Sequence, residues 1–137
     1  MSNIEQTLSI IKPDAVERNL VNKIQQKFLD SRLKITKSKK IQISKEEAAE
    51  FYKVHQTKPF YNDLCSYLSS GPIIVMILEK NDAILANREL MGATDPKKSN
   101  EGTIRKKYGL SIDKNSIHGS DSLENAKIEI NFFFKDN

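Results

Sequence analysis

The residues with the most chemical promise are Asn115-Ser116-Ile117-His118-Gly119-Ser120-Asp121-Ser122. One of the chain's two histidines stands there beside a glycine, followed by a hydroxyl–carboxylate–hydroxyl run. A neutral imidazole is a nucleophile near pH 7, because the free side chain titrates at roughly 6.5. Gly119 permits a positive φ or the close approach of a ligand. Ser120 or Asp121 can cap a helix and leave N–H groups facing an anion. Together these groups offer nucleophilic chemistry at an anionic centre. Taken alone, the stretch reads more simply as a solvent-facing histidine before an ordinary helix cap. A second candidate is Lys12, between a β-branched run and Pro13. A lysine at a buried strand end either meets an anion or is merely solvated.

The frame that must position these groups is small. The 137 residues suit one domain, 1–137. A net charge of +4, mostly from lysine, favours anionic partners: nucleotides, nucleic acid or an anionic surface. The single cysteine, Cys65, excludes an internal disulfide and any zinc cluster built on cysteines. It suggests a reducing, cytoplasmic setting. The longest apolar run, Ile73 to Leu78, is too short to span a bilayer. The start of the chain lacks the basic and apolar regions of a signal peptide.

Thr7 to Ile11 reads as a strand that Pro13 ends, at a position suited to the first turn of a helix. Leu20 to Leu29 has helical spacing. Leu33 to Ile43 reads as a strand with Ile35, Ile41 and Ile43 on one parity, shared by Lys37 and Lys39. That face is therefore half buried or near an edge. Ser44 and Glu47 form a capping box. Its helix carries Tyr52 and is broken at Thr57-Lys58-Pro59. A second helix starts near Phe60, carries Leu64 and stops at Gly71-Pro72. Spacing alone assigns Tyr52, Phe60 and Leu64 to core packing.

Ile73 to Leu78 is apolar on both faces, as a covered central strand requires. Asn81 or Asp82 caps the next helix, which holds Arg88 and runs to about Met91. Gly92 to Gly109 reads as a long loop, and such loops in compact domains are functional or disordered. Leu110 to Ile117 is irregular, with room for one very short strand. Leu123, Ala126, Ile130 and Phe133 define the inward face of a last helix. The order implies an α+β, ferredoxin-like βαββαβ fold: a four-stranded antiparallel sheet, an inserted helical hairpin and a long loop before His118.

With these elements in place, the stretch 115–122 resembles the signature of the nucleoside diphosphate kinases. The likeness extends to Ile11-Lys12-Pro13-Asp14-Ala15-Val16, to Tyr52 followed by Lys58-Pro59-Phe60, and to Ser70-Gly71-Pro72. It continues in Met91-Gly92-Ala93-Thr94-Asp95-Pro96 and Gly102-Thr103-Ile104-Arg105. The matches run in order along nearly the whole chain, and they reverse the plain reading of His118. The resemblance implies ping-pong transfer of the γ-phosphate of a nucleoside triphosphate, typically ATP, to a nucleoside diphosphate.

By this resemblance His118 becomes a phosphohistidine, and Ser120 and Glu129 orient its ring. Lys12 reaches sugar and phosphates, Arg88, Thr94 and Arg105 bind phosphate, and Tyr52 touches the transferred group. Asn115 holds the ribose, while Phe60 stacks on the base with Leu64 and Ile112 beside it. Mg²⁺ travels with the nucleotide phosphates, near Asp121. The resemblance also implies a homo-oligomer built from dimers, a tetramer or hexamer.

Some positions depart from the family pattern. Asn19, Asn22, Arg32 and Lys80 stand where glycine is usual, and Val54 and Lys107 where acidic residues are common. Arg32 is the costly one, at about 1 kcal/mol if its φ is positive. A competing reading, an RNA-binding module of ferredoxin-like type, requires aromatics on the sheet face. The strand segments are aliphatic, which favours an enzyme without sequence-specific nucleic-acid binding. A catalytically dead relative would have lost His118 or its neighbours, and none is lost.

Overall fold

The structure is a computed structural model and describes residues 4–111 and 114–134. Four strands form one antiparallel sheet: β1 (Ile4–Ile11), β2 (Lys34–Ile41), β3 (Ile73–Asn81) and β4 (Ile117–Gly119). Their order is β2-β3-β1-β4, the ferredoxin-like arrangement. Eight residues of β1 pair with β3, from Ile4 opposite Asn81 to Ile11 opposite Ile74. These two strands are central, and their side chains are buried alternately on both faces.

One face carries Leu8, Ile10, Ile73, Val75 and Ile77. It is covered by α3 (Lys45–Phe51), α4 (Tyr61–Leu68) and α7 (Leu123–Phe133). The opposite face carries Ile11, Ile74, Met76 and Leu78. It is covered by α1 (Pro13–Glu17), α2 (Val21–Asp30), α5 (Ala83–Met91) and α6 (Ile104–Tyr108). Helices thus cover both faces of the sheet.

Local chemistry accounts for most boundaries. Pro13 opens α1 behind Lys12, whose extended backbone forms the N-cap. The Ser44 capping box is complete: Ser44 Oγ accepts from the Glu47 N–H at 3.0 Å, and Glu47 accepts from the Ser44 N–H at 3.0 Å. Asp82 occupies the N-cap of α5 with φ 53°, and the Ile84 N–H beyond it donates to the Glu5 carboxylate at 3.3 Å.

The structure corrects several expectations. The isoleucines of β2 do not share a face. A bulge between Ile35 and Lys37 shifts the register, so Ile35 joins the α2 side while Ile41 and Ile43 join the α3 side. Lys39, exposed on β2, donates to the Phe133 carbonyl, placing a cation at the C-terminal end of α7. The segment predicted as a loop, Gly92 to Gly109, contains a 3-10 turn (Pro96–Lys98) and α6. Thr103 caps α6 by accepting from the Lys106 N–H, a signal available in the sequence. The cap of α7 is Ser122, not Ser120 or Asp121; it accepts from the Asn125 N–H at 3.0 Å. Leu123 is 46% exposed, whereas Ala126, Ile130 and Phe133 are buried as expected.

Asn19 and Arg32 adopt φ of 60° and 64°, the left-handed region that glycine would enter without strain. Asn22 lies inside α2 and has no such demand. Lys80 donates to the Ser31 carbonyl at 2.7 Å, so two departures from the glycine pattern meet at the end of α2. Lys107 lies over the Tyr108 ring, 5.5 Å from its centre. The side chain of Val54 and residue Ile112 lie outside the described residues.

Candidate active site

β4 is short, but it fixes the histidine. His118 pairs with Ile10, so it shares the face covered by α3, α4 and α7. Its ring and that of Phe51 are T-shaped, with centres 5.3 Å apart and planes at 75°. From α7, Glu129 Oε1 lies 3.0 Å from His118 Nε2. Ser120 Oγ donates to the same oxygen at 2.7 Å and accepts from the Leu8 N–H at 3.2 Å. An ionised carboxylate only accepts, so the proton sits on Nε2 and the lone pair is left on Nδ1. Glu129 and Ser120 therefore hold one tautomer of a part-exposed imidazole.

His118 lines a cavity of about 440 Å³. At one end stand the cations. Lys12, nearly buried, donates from Nζ to Asn115 Oδ1 at 2.9 Å, and Asn115 Nδ2 donates to the Thr94 carbonyl at 3.0 Å. Arg105 donates from Nη1 to the Gly92 carbonyl at 3.1 Å and from Nη2 to the Ile117 carbonyl at 2.8 Å. Its buried Nε makes no hydrogen bond. Burial, with Arg88 as a second cause, lowers the Arg105 guanidinium to about 10, still charged at neutral pH. Arg88 and Thr94 line the cavity from α5 and the segment after it. Such a set of forks and hydroxyls suits phosphate oxygens.

The other end is apolar. Phe60 is 41% exposed at the N-cap of α4, with Leu64 one turn on. Both line the cavity; the spacing-based assignment to packing fails for Phe60, whereas Leu64 also packs against the core. Tyr52 is buried yet also lines it. Burial, then the nearby Cys65 and Glu129, pushes its hydroxyl well above the ordinary value, so it stays protonated. The second histidine, His55, also lines the cavity; its ring lies 6.3 Å from Tyr52 and 6.2 Å from Phe60. Sequence reasoning missed it, and its place after a helix end gave no periodic signal. Met91 was missed as well, because it reads as the last core residue of α5.

Gly119 serves close packing. A Cβ there would meet the Asn87 amide and, at 2.8 Å, the Met91 thioether, both on α5. Its φ is not in the left-handed region, so of the alternatives open to glycine here a positive φ is not the reason. Gly119→Ala is expected to lower stability by about 1–3 kcal/mol through overpacking beside His118. Urea unfolding of the variant measures this, and an unchanged midpoint would contradict it.

Asp121 lines the cavity at its open side. Its carboxyl is held below the ordinary range, first by the Asn125 amide at 2.6 Å. Among the described residues no cluster of three or more His, Cys, Asp or Glu forms a metal cage. A lone carboxylate beside a cluster of cations fits a divalent ion held largely by a nucleotide's own phosphates.

Comparisons with known proteins agree with this geometry. A family model described as nucleoside diphosphate kinase matches residues 5–137. The nucleoside diphosphate kinase of Nitratiruptor sp. is 57% identical over 131 residues, covering 96% of each chain. That of Wolinella succinogenes is 56% identical over 131 residues, again 96% of each. Among solved structures, the Aquifex aeolicus nucleoside diphosphate kinase superposes with a TM-score of 0.93 at 41% identity, covering 96% of this chain and 95% of that one. The Encephalitozoon cuniculi enzyme superposes with a TM-score of 0.92 at 37% identity, covering 95% and 88%. With a histidine held in one tautomer, guanidinium forks around it and relatives matching end to end, this chain belongs to the nucleoside diphosphate kinase family, enzymes that pass a terminal phosphate between nucleotides by a ping-pong mechanism.

Proposed function

We propose that His118 is the nucleophile of this transfer. The observation that carries the reading is the Glu129–His118 pair, which leaves the Nδ1 lone pair available in the cavity. In the first half-reaction Nδ1 attacks the γ-phosphorus of a nucleoside triphosphate. The bond to the β–γ bridging oxygen breaks, and the nucleoside diphosphate leaves with that oxygen. A second nucleoside diphosphate then attacks the phosphohistidine through its terminal phosphate oxygen, and the histidine is restored. The two halves mirror each other, so one site serves both nucleotides.

The remaining roles are electrostatic and positional. Lys12, Arg88, Arg105 and Thr94 bind the phosphates, and the Tyr52 hydroxyl meets the transferred group. Asn115 holds the sugar, and Glu129 and Ser120 steady the ring. Phe60 stacks on the base, with Leu64 and Ile112 beside it. Mg²⁺ is the divalent ion, carried on the phosphates near Asp121; when bound it neutralises phosphate charge.

The chain functions as one kinase domain, 1–137, in a homo-oligomer built from dimers, a tetramer or hexamer, in the cytoplasm. No described helix is long and apolar enough to cross a membrane.

Initial rates test the mechanism. ATP varied at several fixed concentrations of a pyrimidine nucleoside diphosphate should give parallel double-reciprocal lines. Intersecting lines would indicate direct transfer in a ternary complex. The base clamp has its own test. A stacking face is tolerant of base identity, and each stacked base is worth about 1–3 kcal/mol. Phe60→Ala should therefore weaken kcat/KM about tenfold or more for purine and pyrimidine substrates alike. A loss confined to purines would contradict a stacking role.

A further inference from the structure

Ser116 is the residue between the sugar-side Asn115 and the strand that carries His118. It is buried, it is not glycine, and its φ is 77°. A serine held there is strained, and such strain persists where surrounding contacts over-determine it, commonly at functional sites. The contacts are present. The Ser116 carbonyl accepts from the Lys12 N–H at 2.9 Å. Its hydroxyl donates to Asp14 Oδ2 at 3.2 Å and accepts from Arg18 Nη2 at 3.2 Å.

Asp14 is itself fully engaged. Arg18 Nη2 donates to Oδ2 at 3.0 Å, and the Tyr67 hydroxyl from α4 donates to Oδ1. Burial, with the adjacent Asp14 carboxylate, pushes the Tyr67 hydroxyl far above its ordinary value, so it remains a donor. Arg18 also donates to the Tyr108 carbonyl at 2.6 Å, at the end of α6. Asp14 and Arg18, themselves held by Tyr67 of α4 and the Tyr108 carbonyl of α6, thus converge on one hydroxyl in the segment leading to His118.

We propose that Ser116, tied to Asp14 and Arg18, is a positioning latch that sets the spacing between Asn115 and His118. The inference rests on the proposed roles of those two residues. Asn115 receives its place from both sides: its side chain bridges Lys12 and Thr94, and its backbone is turned by Ser116. His118 receives its place from the pairing of β4 with β1, which starts at Ile117. The latch joins these two registrations. None of its three side chains lines the cavity, so each acts through the residues that do.

Two variants test it. Ser116→Gly removes the hydroxyl and also removes the strain, since glycine accepts a positive φ. It is expected to unfold at or near the native temperature, yet to raise the nucleotide KM about tenfold with a much smaller change in kcat, the signature of a displaced binding group. Asp14→Asn keeps the shape and is expected to shift KM the same way by less. A native KM in the glycine variant would overturn the latch. An absence of phosphate transfer in the unmodified chain would instead contradict the kinase reading, so the two failures are distinguishable.

Discussion

His118→Ala is expected to remove phosphate transfer almost entirely while leaving the fold and nucleotide binding in place. The variant deletes the atom proposed to carry the phosphate. Removing a covalent nucleophile from an enzyme costs on the order of 10⁶ in kcat, with the residual rate supplied by binding and charge stabilisation alone. At about 1.36 kcal/mol per decade, that loss corresponds to about 8 kcal/mol of transition-state stabilisation. The fold should tolerate the change. The imidazole is only partly buried, and Glu129 Oε1 keeps the Ser120 hydroxyl as a donor. Lys12, Arg88, Arg105 and Asn115 lie on other elements and stay where they are. Calorimetry with a nucleoside diphosphate should show near-native affinity, alongside kcat at the limit of detection. A variant that retained a sizeable fraction of the native rate would place the phosphate on another group.

Arg105→Ala is expected to have the second-largest effect, and on two quantities at once. The guanidinium bridges the Gly92 and Ile117 carbonyls, so it holds the segment after α5 against β4. Deleting it takes the donor from the buried Ile117 carbonyl, at about 1–3 kcal/mol, and from the part-buried Gly92 carbonyl, at less. Stability should fall by about 2–4 kcal/mol, read from urea unfolding. Transfer should fall about 10²–10³-fold, because a fixed positive charge beside the reacting phosphate is lost. Arg105→Lys should recover little, since an ammonium cannot bridge two carbonyls and a phosphate in one plane.

The sign of the pH dependence follows from the depressed guanidinium. Its folded value, about 10, lies below the ordinary guanidinium value. The unfolded chain then binds more protons only between those values, so this group makes stability rise with pH there and contributes no slope at neutral pH. Near-native stability of Arg105→Ala would contradict the bridging role.

Much of this was legible in the residue order, for identifiable reasons. Turn chemistry and periodicity are local, so Pro13, the Ser44–Glu47 box and the doubly apolar β3 could be read directly. The bulge in β2 could not. It depends on how Ile35 and Ile41 divide between two cores that only the assembled sheet defines. Gly119 was visible as a special residue, but its reason is the approach of Asn87 and Met91 from a distant helix. Phe60 and Leu64 show the same limit from the other side. Helical spacing assigned them to a core, whereas the hairpin turns Phe60 into a cavity and gives Leu64 a place in both. The resemblance to the kinases corrected that assignment, which periodicity alone could not. The Ser116 latch was hidden because a serine in an irregular stretch carries no pattern. Its significance lies in φ and in contacts with Asp14 and Arg18, about a hundred residues away in sequence.

The most direct measurement is the fate of the γ-phosphate when ATP is supplied without an acceptor. The chain mixed with γ-labelled ATP and Mg²⁺, then quenched, should carry one phosphoryl group per protomer on His118, released by acid and stable to base. ADP should appear in matching amount. Label that resists acid, or that persists in His118→Ala, would contradict a phosphohistidine at this position.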